Sequence, residues 1–449
     1  MSKKKIWIVV TAEILVLALL ITAASAIFLR KKHKQDALSG IVTTTQPIFT
    51  TTVPTTLPLE PEPEVIQLTL TFTGDCTLGR NQKMDYVGTY YEFYDKYGAD
   101  YFFENVRHIF QEDDLTIINL EGSLTDSEDA QPHEFLHKGR PEFVNVLSGS
   151  SVEVATMGNN HNRDYGIKGR NETIRVLQEK GIAHCFNENY AVCEVKGIKI
   201  GFVSVDGSYG QYVDNYLKNG YKSLREDGCD LVIACIHWGA GKTSVPNKDQ
   251  LRLGPMAIDL GYDLVVGNHP HVLQGMQLYK GKYILYSLGN FSYGGNRNPA
   301  DKDSGIFQQT FTFIDGELQA PEGKFIPCRL SGVDWRNDYQ PKLVEGEEYD
   351  RIMEKVSKYS RVFGYELDSE GRLVECDPDE IPQPQPEPEP QKPTQPPETP
   401  TEPTTPPEEP TTLPEEPTTV PEEPTTVPEE PTEEPTEEPT DETTTAQPE

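Results

Sequence analysis

Five short apolar runs punctuate the middle of the chain: Leu68–Thr73, Leu115–Ile118, Val152–Met157, Leu231–Ile236 and Leu264–Val266. Each is bounded by Gly, Asn or Asp, the composition of a buried strand that ends in a turn. Elsewhere apolar residues fall at helical spacing: 174, 176 and 177 within Arg170–Glu179, a partial stripe over Gln250–Leu260, and a closing helix over Tyr349–Tyr359. Further β-type stretches cover Tyr283–Ser287, Ile306–Ile314 and Gly323–Leu330. This mixture predicts one α/β domain over residues 65–380, with two sheets faced by helices rather than a single doubly wound sheet.

The pattern changes at both ends. Ile6–Leu29 is a 24-residue apolar run broken by Glu13. At ~1.5 Å per residue it reaches about 36 Å, enough to span a bilayer with some tilt. Residues 1–34 are read as a membrane anchor; the competing reading is a cleaved secretory signal, because Ala24-Ser25-Ala26 is an acceptable cleavage site. Lysines and arginines on both sides leave orientation undecided. The expectation is a single-pass cell-membrane protein whose main domain is extracytoplasmic. Residues 35–64 form a Thr/Pro-rich linker. Residues 381–449 form an acidic Pro/Thr/Glu-rich tail with an imperfect seven-residue repeat, predicted to be disordered because it cannot bury enough apolar surface to offset ordering.

Charge follows the same divisions. The formal net charge of −32 divides into +6 over residues 1–34, −18 over 381–449 and −20 over the interval between. An acidic body argues against nucleic acid as a partner. It also makes recognition of an anionic substrate depend on bound cations. Seven cysteines without a C-x-x-C pair do not make a disulfide scaffold. Cys185 and Cys193 are near enough in sequence for one bridge, Cys229 and Cys235 read as buried thiols, and Cys76 is expected to point away from its neighbour Asp75.

The five runs also end on residues that bind metals. They lead into Asp75, Glu121, Asn160 with His161, His237, and the pair His269 and His271. Loops at one edge of a layered α/β sheet share a crevice, so ligands at successive strand ends can converge. One such residue carries little weight. Five in order, closing on an H-x-H pair, make a divalent-metal site the leading reading.

In order, the motifs are Gly74-Asp75 with Leu78-Gly79-Arg80, Asn119-Leu120-Glu121, Asn159-Asn160-His161 with Asp164-Tyr165-Gly166, His237-Trp238-Gly239, Gly267-Asn268-His269-Pro270-His271, and Tyr286-Ser287-Leu288-Gly289-Asn290-Phe291. Over about residues 67–320 this series resembles the CapA-type poly-γ-glutamate capsule-synthesis family, a branch of the calcineurin-like metallophosphoesterase superfamily. The resemblance implies a four-layer α/β/β/α metallophosphoesterase-like sandwich. It implies Asp75, Glu121, Asn160, His237, His269 and His271 as metal ligands, with Glu121 in the bridging or second-metal place. His161 would be the catalytic acid and Asp164 the group that orients it. Such a set suits one or two Mn, Fe or Zn ions.

Some positions depart from the family pattern. Asp75-Cys76-Thr77 stands where the superfamily has Asp-x-His, Asn119-Leu120-Glu121 replaces Gly-Asp-x-x-Asp, and no acid soon follows His237-Trp238-Gly239. These departures weaken the case for two filled positions more than the case for metal binding. Lys138 and Arg140, in a loop after Glu121, and Asn290 are candidates for substrate contacts; a solvated loop is the alternative for the first two. His33, His108, His133, His137 and His184 lie outside the motifs and receive no role.

The implied function is a metal-dependent hydrolase or transferase of capsule synthesis or export. It would act on a phosphoester or amide of an anionic envelope polymer such as poly-γ-glutamate, beside capsule-synthase membrane subunits. The alternative is a non-catalytic assembly or export scaffold that retains the metal site.

Overall fold

Two β-sheets face each other across an apolar core in the computed structural model, which describes residues 62–381. The anchor segment, nearly all of the Thr/Pro linker and the acidic tail beyond 381 lie outside the described residues. Among the described residues no helix is long and apolar enough to cross a membrane.

The first sheet has nine strands. Its spatial order is β18 (Lys342–Leu343), β17 (Glu322–Arg329), β15 (Asp303–Ile314), β1 (Val65–Thr77), β3 (Leu115–Leu120), β6 (Val154–Thr156) and β7 (Ala183–Cys185). Beside β1 and β15 respectively lie β14 (Asn290–Tyr293) and β16 (Glu317–Leu318). The second sheet has six strands, in the order β12 (Met276–Tyr279), β13 (Lys282–Leu285), β11 (Leu264–Asn268), β10 (Leu231–His237), β9 (Ile198–Asp206) and β8 (Ala191–Val195). A small three-stranded ribbon joins β2 (Arg80–Asn81), β5 (His137–Gly139) and β4 (Ser123–Leu124).

The central strands are covered on both faces, which is why they read as unbroken apolar runs. Along β3, Leu115 and Ile117 enter the core between the sheets while Ile118 and Leu120 enter the core on the other side. Along β10, Leu231, Ile233 and Cys235 face the first sheet, and Val232, Ala234 and Ile236 face away from it. The outer face of the first sheet packs on α1 (Tyr90–Tyr97), α2 (Arg107–Glu112), α3 (Val144–Ser148) and α4 (Gly166–Glu179). The outer face of the second packs on α5 (Gln211–Glu226) and α6 (Lys248–Leu260). The closing helix, α7 (Gly346–Ser360), inserts Ile352, Met353 and Val356 at the margin of the central core. The chain is thus a mixed α/β fold. All seven cysteines are free, Cys185 and Cys193 included.

Two local features carry the strands to the site. β1 runs beyond its apolar stretch through Asp75 because Gly74 allows a close approach: a Cβ there would lie 2.2 Å from the Gly289 carbonyl oxygen. The Asp75 amide then donates to that same oxygen at 2.9 Å. On the second sheet α6 starts on a capping box, with Asn247 accepting from the Gln250 amide and the Gln250 side chain accepting from the Asn247 amide.

Candidate metal centre

Parallel pairing brings the strand ends level. Asp75 stands opposite Asn119 on one side and Asn290 on the other, while His237 stands between Asp206 and Asn268. The two sheets therefore present Asp75 and Glu121 from one side, and His237, His269 and His271 from the other. Asp75 and Glu121 are fully buried, and His237 is 3% exposed. The turn after β11 holds two histidines in left-handed backbone, with φ 95° at His269 and 57° at His271. Non-glycine residues there are strained by roughly 1–3 kcal/mol each, and such strain clusters at functional sites. The two rings reach the same place through a tight turn rather than along a strand.

The ligand atoms form two triads that share one residue. Glu121, His237 and His269 make the first; Asp75, Glu121 and His271 make the second, each with ligand atoms within 4.8 Å of one another. Glu121 Oε1 lies 3.7 Å from His237 Nε2, 3.6 Å from His271 Nε2 and 3.9 Å from His161 Nε2. It has no hydrogen-bond partner and is buried. A buried carboxylate oxygen with no donor calls for an explanation, and a cation is the simplest. These gaps exceed hydrogen-bond reach yet approach the ~3.4 Å between two ligands on one tetrahedral ion of ~2.1 Å bonds.

His237 Nε2 repeats the pattern. It lies 2.7 Å from Asn160 Oδ1 and 3.0 Å from His269 Nδ1. A single proton there satisfies one lone pair, whereas a cation satisfies all that converge. The residues present fit one or two borderline divalent ions, with Glu121 able to touch both.

Surrounding groups fix the rings. His271 Nδ1 lies 2.9 Å from Asn290 Oδ1 and 3.2 Å from Asp75 Oδ2, which turns Nε2 toward Glu121. Asn119 donates to Asp75 Oδ1 at 2.8 Å, and Asn159 in turn donates to Asn119 at 3.0 Å. His161 Nδ1 is 2.8 Å from Asp164 Oδ2, leaving its Nε2 to face Glu121.

Burial raises the Asp75 carboxyl, but the hydrogen bond and charge of His271, with His237 and Asn119, outweigh it and bring it down to about 2. Burial also raises Glu121, only partly offset by His271. Burial lowers His271, but Glu121 and Asp75 overcome it and hold the imidazole up at about 9. That proton stands where a cation would. Burial depresses His237 strongly and His269 to about 4, keeping both neutral and ready to ligate. Burial likewise lowers His161, but its bond to Asp164 and the charge of Glu121 raise it overall.

Residues 69–294, which contain every one of these groups, match the family described as bacterial capsule synthesis protein PGA_cap. The chain belongs to this family. The PGA_cap chain is 30% identical over 272 residues to a capsule biosynthesis protein CapA of Bacillus anthracis, covering 54% of this chain and 63% of that one. It is 29% identical over 249 residues to a PGA biosynthesis protein CapA of Bacillus subtilis strain 168, covering 50% and 63%. A probable polyglutamine synthesis accessory protein of Mycobacterium tuberculosis is 24% identical over 208 residues, covering 39% and 55%. The match thus spans less than two thirds of these relatives' own lengths.

Within this PGA_cap domain the structure gathers Asp75, Glu121, Asn160, His161, Asp164, His237, His269, His271 and Asn290 around one point. Asn290 spends both ends of its amide on His271, accepting near Nδ1 and donating to the backbone carbonyl at 3.1 Å, so it orients that ring. Lys138 and Arg140 are not gathered there. Lys138 lies on β5 rather than in a loop, and both line a separate cavity. Cys76 turns away into the outer core, where burial lifts its thiol to about 12.

Sequence reasoning passed over three residues. His137 is buried with its ring 4.2 Å from that of His161. The Tyr293 ring lies tilted against that of His271, with centroids 5.1 Å apart. Asp206 is 3% exposed and shares a 270 Å³ cavity with Asn160, His237 and His269. Only the pairing of strand ends reveals Asp206, which follows a run ending one strand away from His237.

Proposed function

We propose that this PGA_cap chain is a metal-dependent hydrolase or transferase of capsule synthesis, acting on an anionic polymer of the poly-γ-glutamate type. The observation that carries the reading is Glu121 Oε1, buried, without a donor and shared by two ligand triads. The layering of helices, sheet, sheet and helices supports a four-layer metallophosphoesterase-like sandwich. The relatives' names, capsule and polyglutamate-type synthesis, support the polymer as substrate class. Asp75, Glu121, Asn160, His237, His269 and His271 would hold one or two ions. Bound there, they would polarise the scissile group and lower the pKa of a water.

The chain's own residues then do the following. Asp164 fixes the His161 ring through Nδ1, and the raised His161 keeps a proton on Nε2 to give to the leaving group. Asn290 and Asn119 hold His271 and Asp75 in place. The apolar run Ile6–Leu29 supports a single-pass membrane tether with the catalytic domain extracytoplasmic, where an envelope polymer is found.

The test is to purify the full-length chain in detergent, measure bound metal, and assay wild type and His161→Ala on poly-γ-glutamate and on a chromogenic phosphodiester. The expected result is metal in both proteins and a ~10²–10⁴-fold loss of turnover in the variant. Bound metal with no turnover of any substrate by the wild type would leave a metal-retaining scaffold instead.

A further inference from the structure

The ribbon beside the centre has two faces, and the second has a cavity of its own. Residues directly opposite in an antiparallel pair share a face, and consecutive residues alternate. On β5, His137 faces the His161 ring, so Lys138 faces the other way, together with its cross-strand partner Arg80. Arg80, Lys138 and Arg140 line a cavity of about 470 Å³ with Tyr91 and Tyr165 and with the acids Asp126 and Glu128.

The cations there are held in place, and one of the three is left without a carboxylate partner. The Arg80 and Arg140 guanidinium carbons each lie 5.1 Å from the centroid of the Tyr91 ring, and Lys138 Nζ lies 4.8 Å from that of Tyr165. Arg80 donates to the Met84 carbonyl and meets no carboxylate among the described residues. Lys138 pairs at 2.8 Å with Glu128, whose side chain is 89% exposed, so the pair is screened and easily exchanged. Arg140 is tied to Asp95 and Glu142, which aim its guanidinium at Tyr91. Arg80, backed by an aromatic ring and without a carboxylate, stands out in a body of net charge −20. An acidic chain approaching that body is repelled almost everywhere, and a half-buried arginine with free donors is where it would be held.

We propose that this cavity is an exosite that binds carboxylates of an acidic polymer at residues remote from the bond held at the metal centre. It rests on the reading of an acidic polymer as the substrate, and it adds a chain-length requirement. Short fragments reach the centre without touching the exosite; long chains occupy both.

The experiment compares metal-loaded, full-length wild type, Arg80→Glu and Arg80→Lys. Binding and turnover are measured with long poly-γ-glutamate, with γ-glutamylglutamate and with a chromogenic phosphodiester. Arg80→Glu should weaken long-polymer binding about tenfold or more, as expected for losing one charge-assisted contact, and flatten its salt dependence. Metal content, the dipeptide and the phosphodiester should be unaffected, and Arg80→Lys should retain most of the polymer binding. Equal long-polymer binding by wild type and Arg80→Glu, or an equal loss for the dipeptide, overturns the exosite. Polymer held by wild type, released by Arg80→Glu and cleaved by neither removes the hydrolase reading and leaves the exosite. Polymer cleaved with the same half-saturation by both proteins removes the exosite and leaves the hydrolase. A wild type that neither holds nor cleaves polymer removes both.

Discussion

Replacing Glu121 with Gln should change stability in opposite directions with and without metal. Glu121 is fully buried, and among the described residues its Oε1 has no donor and only Thr77 reaches the other oxygen, at 3.4 Å. Burial raises its carboxyl, so the ionised form costs stability in the metal-free protein. For such a group, stability is complete at low pH and falls as pH rises through the raised folded-state value. An uncharged isostere removes that cost, worth about 1–3 kcal/mol for a buried unsatisfied group. At roughly 2 °C per kcal/mol for a large domain, metal-free Glu121→Gln should melt about 2–6 °C above metal-free wild type near neutral pH.

With metal the order reverses. Each triad loses its shared member and keeps two ligands. Wild type with free ion at a thousand times its Kd gains about 4 kcal/mol, or roughly 8 °C. The variant should gain little of this. Thermal unfolding by circular dichroism, with a chelator and then with Mn or Zn, measures both effects, and elemental analysis counts the ions. A variant that binds the same number of ions and shows the wild-type metal-induced rise would refute the shared-ligand geometry. A metal-free variant several degrees less stable than wild type would show that Oε1 has a donor after all.

Two further outcomes follow from the same electrostatics. His271 is held near 9 by Glu121 and Asp75, so at neutral pH an ion must displace its proton. Apparent metal affinity, measured by competition with a chromophoric chelator, should rise about tenfold per pH unit from 7 to 9 and then level off; a flat profile would count against His271 as a ligand. Asp164→Asn removes the carboxylate that raises His161. The high-pH fall in kcat, where His161 loses its proton, should move to lower pH, and kcat should drop about 10- to 100-fold with metal content unchanged. An unmoved limb would mean that His161 is not the acid.

The sequence made much of this arrangement legible because each buried strand is nearly continuous in apolar residues and stops on a ligand. β10 is read almost to the residue, since both of its faces are covered and no polar position interrupts it. The helix α5 went unread although Val213, Leu217, Gly220 and Leu224 form its buried stripe. Tyr and Asn fill the surrounding positions, and the two glycines at 210 and 220 read as loop. His137 was invisible for a different reason. Its strand is three residues long, and its burial depends on Gly122 and Gly295, where an added Cβ would come within about 3 Å of it. That Lys138 and Arg140 lie apart from the centre has the same origin, because the ribbon's faces are set by pairing with Arg80, which no local pattern encodes.

The two triads draw ligands from both sheets: Asp75 and Glu121 come early in the chain, and His237, His269 and His271 some hundred residues later. Neither half holds a complete triad. A chain that emerges from its amino end, whether from a ribosome or through a translocation pore, cannot close the first triad until residue 269 is free to fold, nor the second until residue 271 is. Metal loading would therefore be a late maturation step. An ion held there would be taken from whichever compartment hosts the second sheet's completion, and its identity would report where the chain finished folding as much as what its ligands prefer.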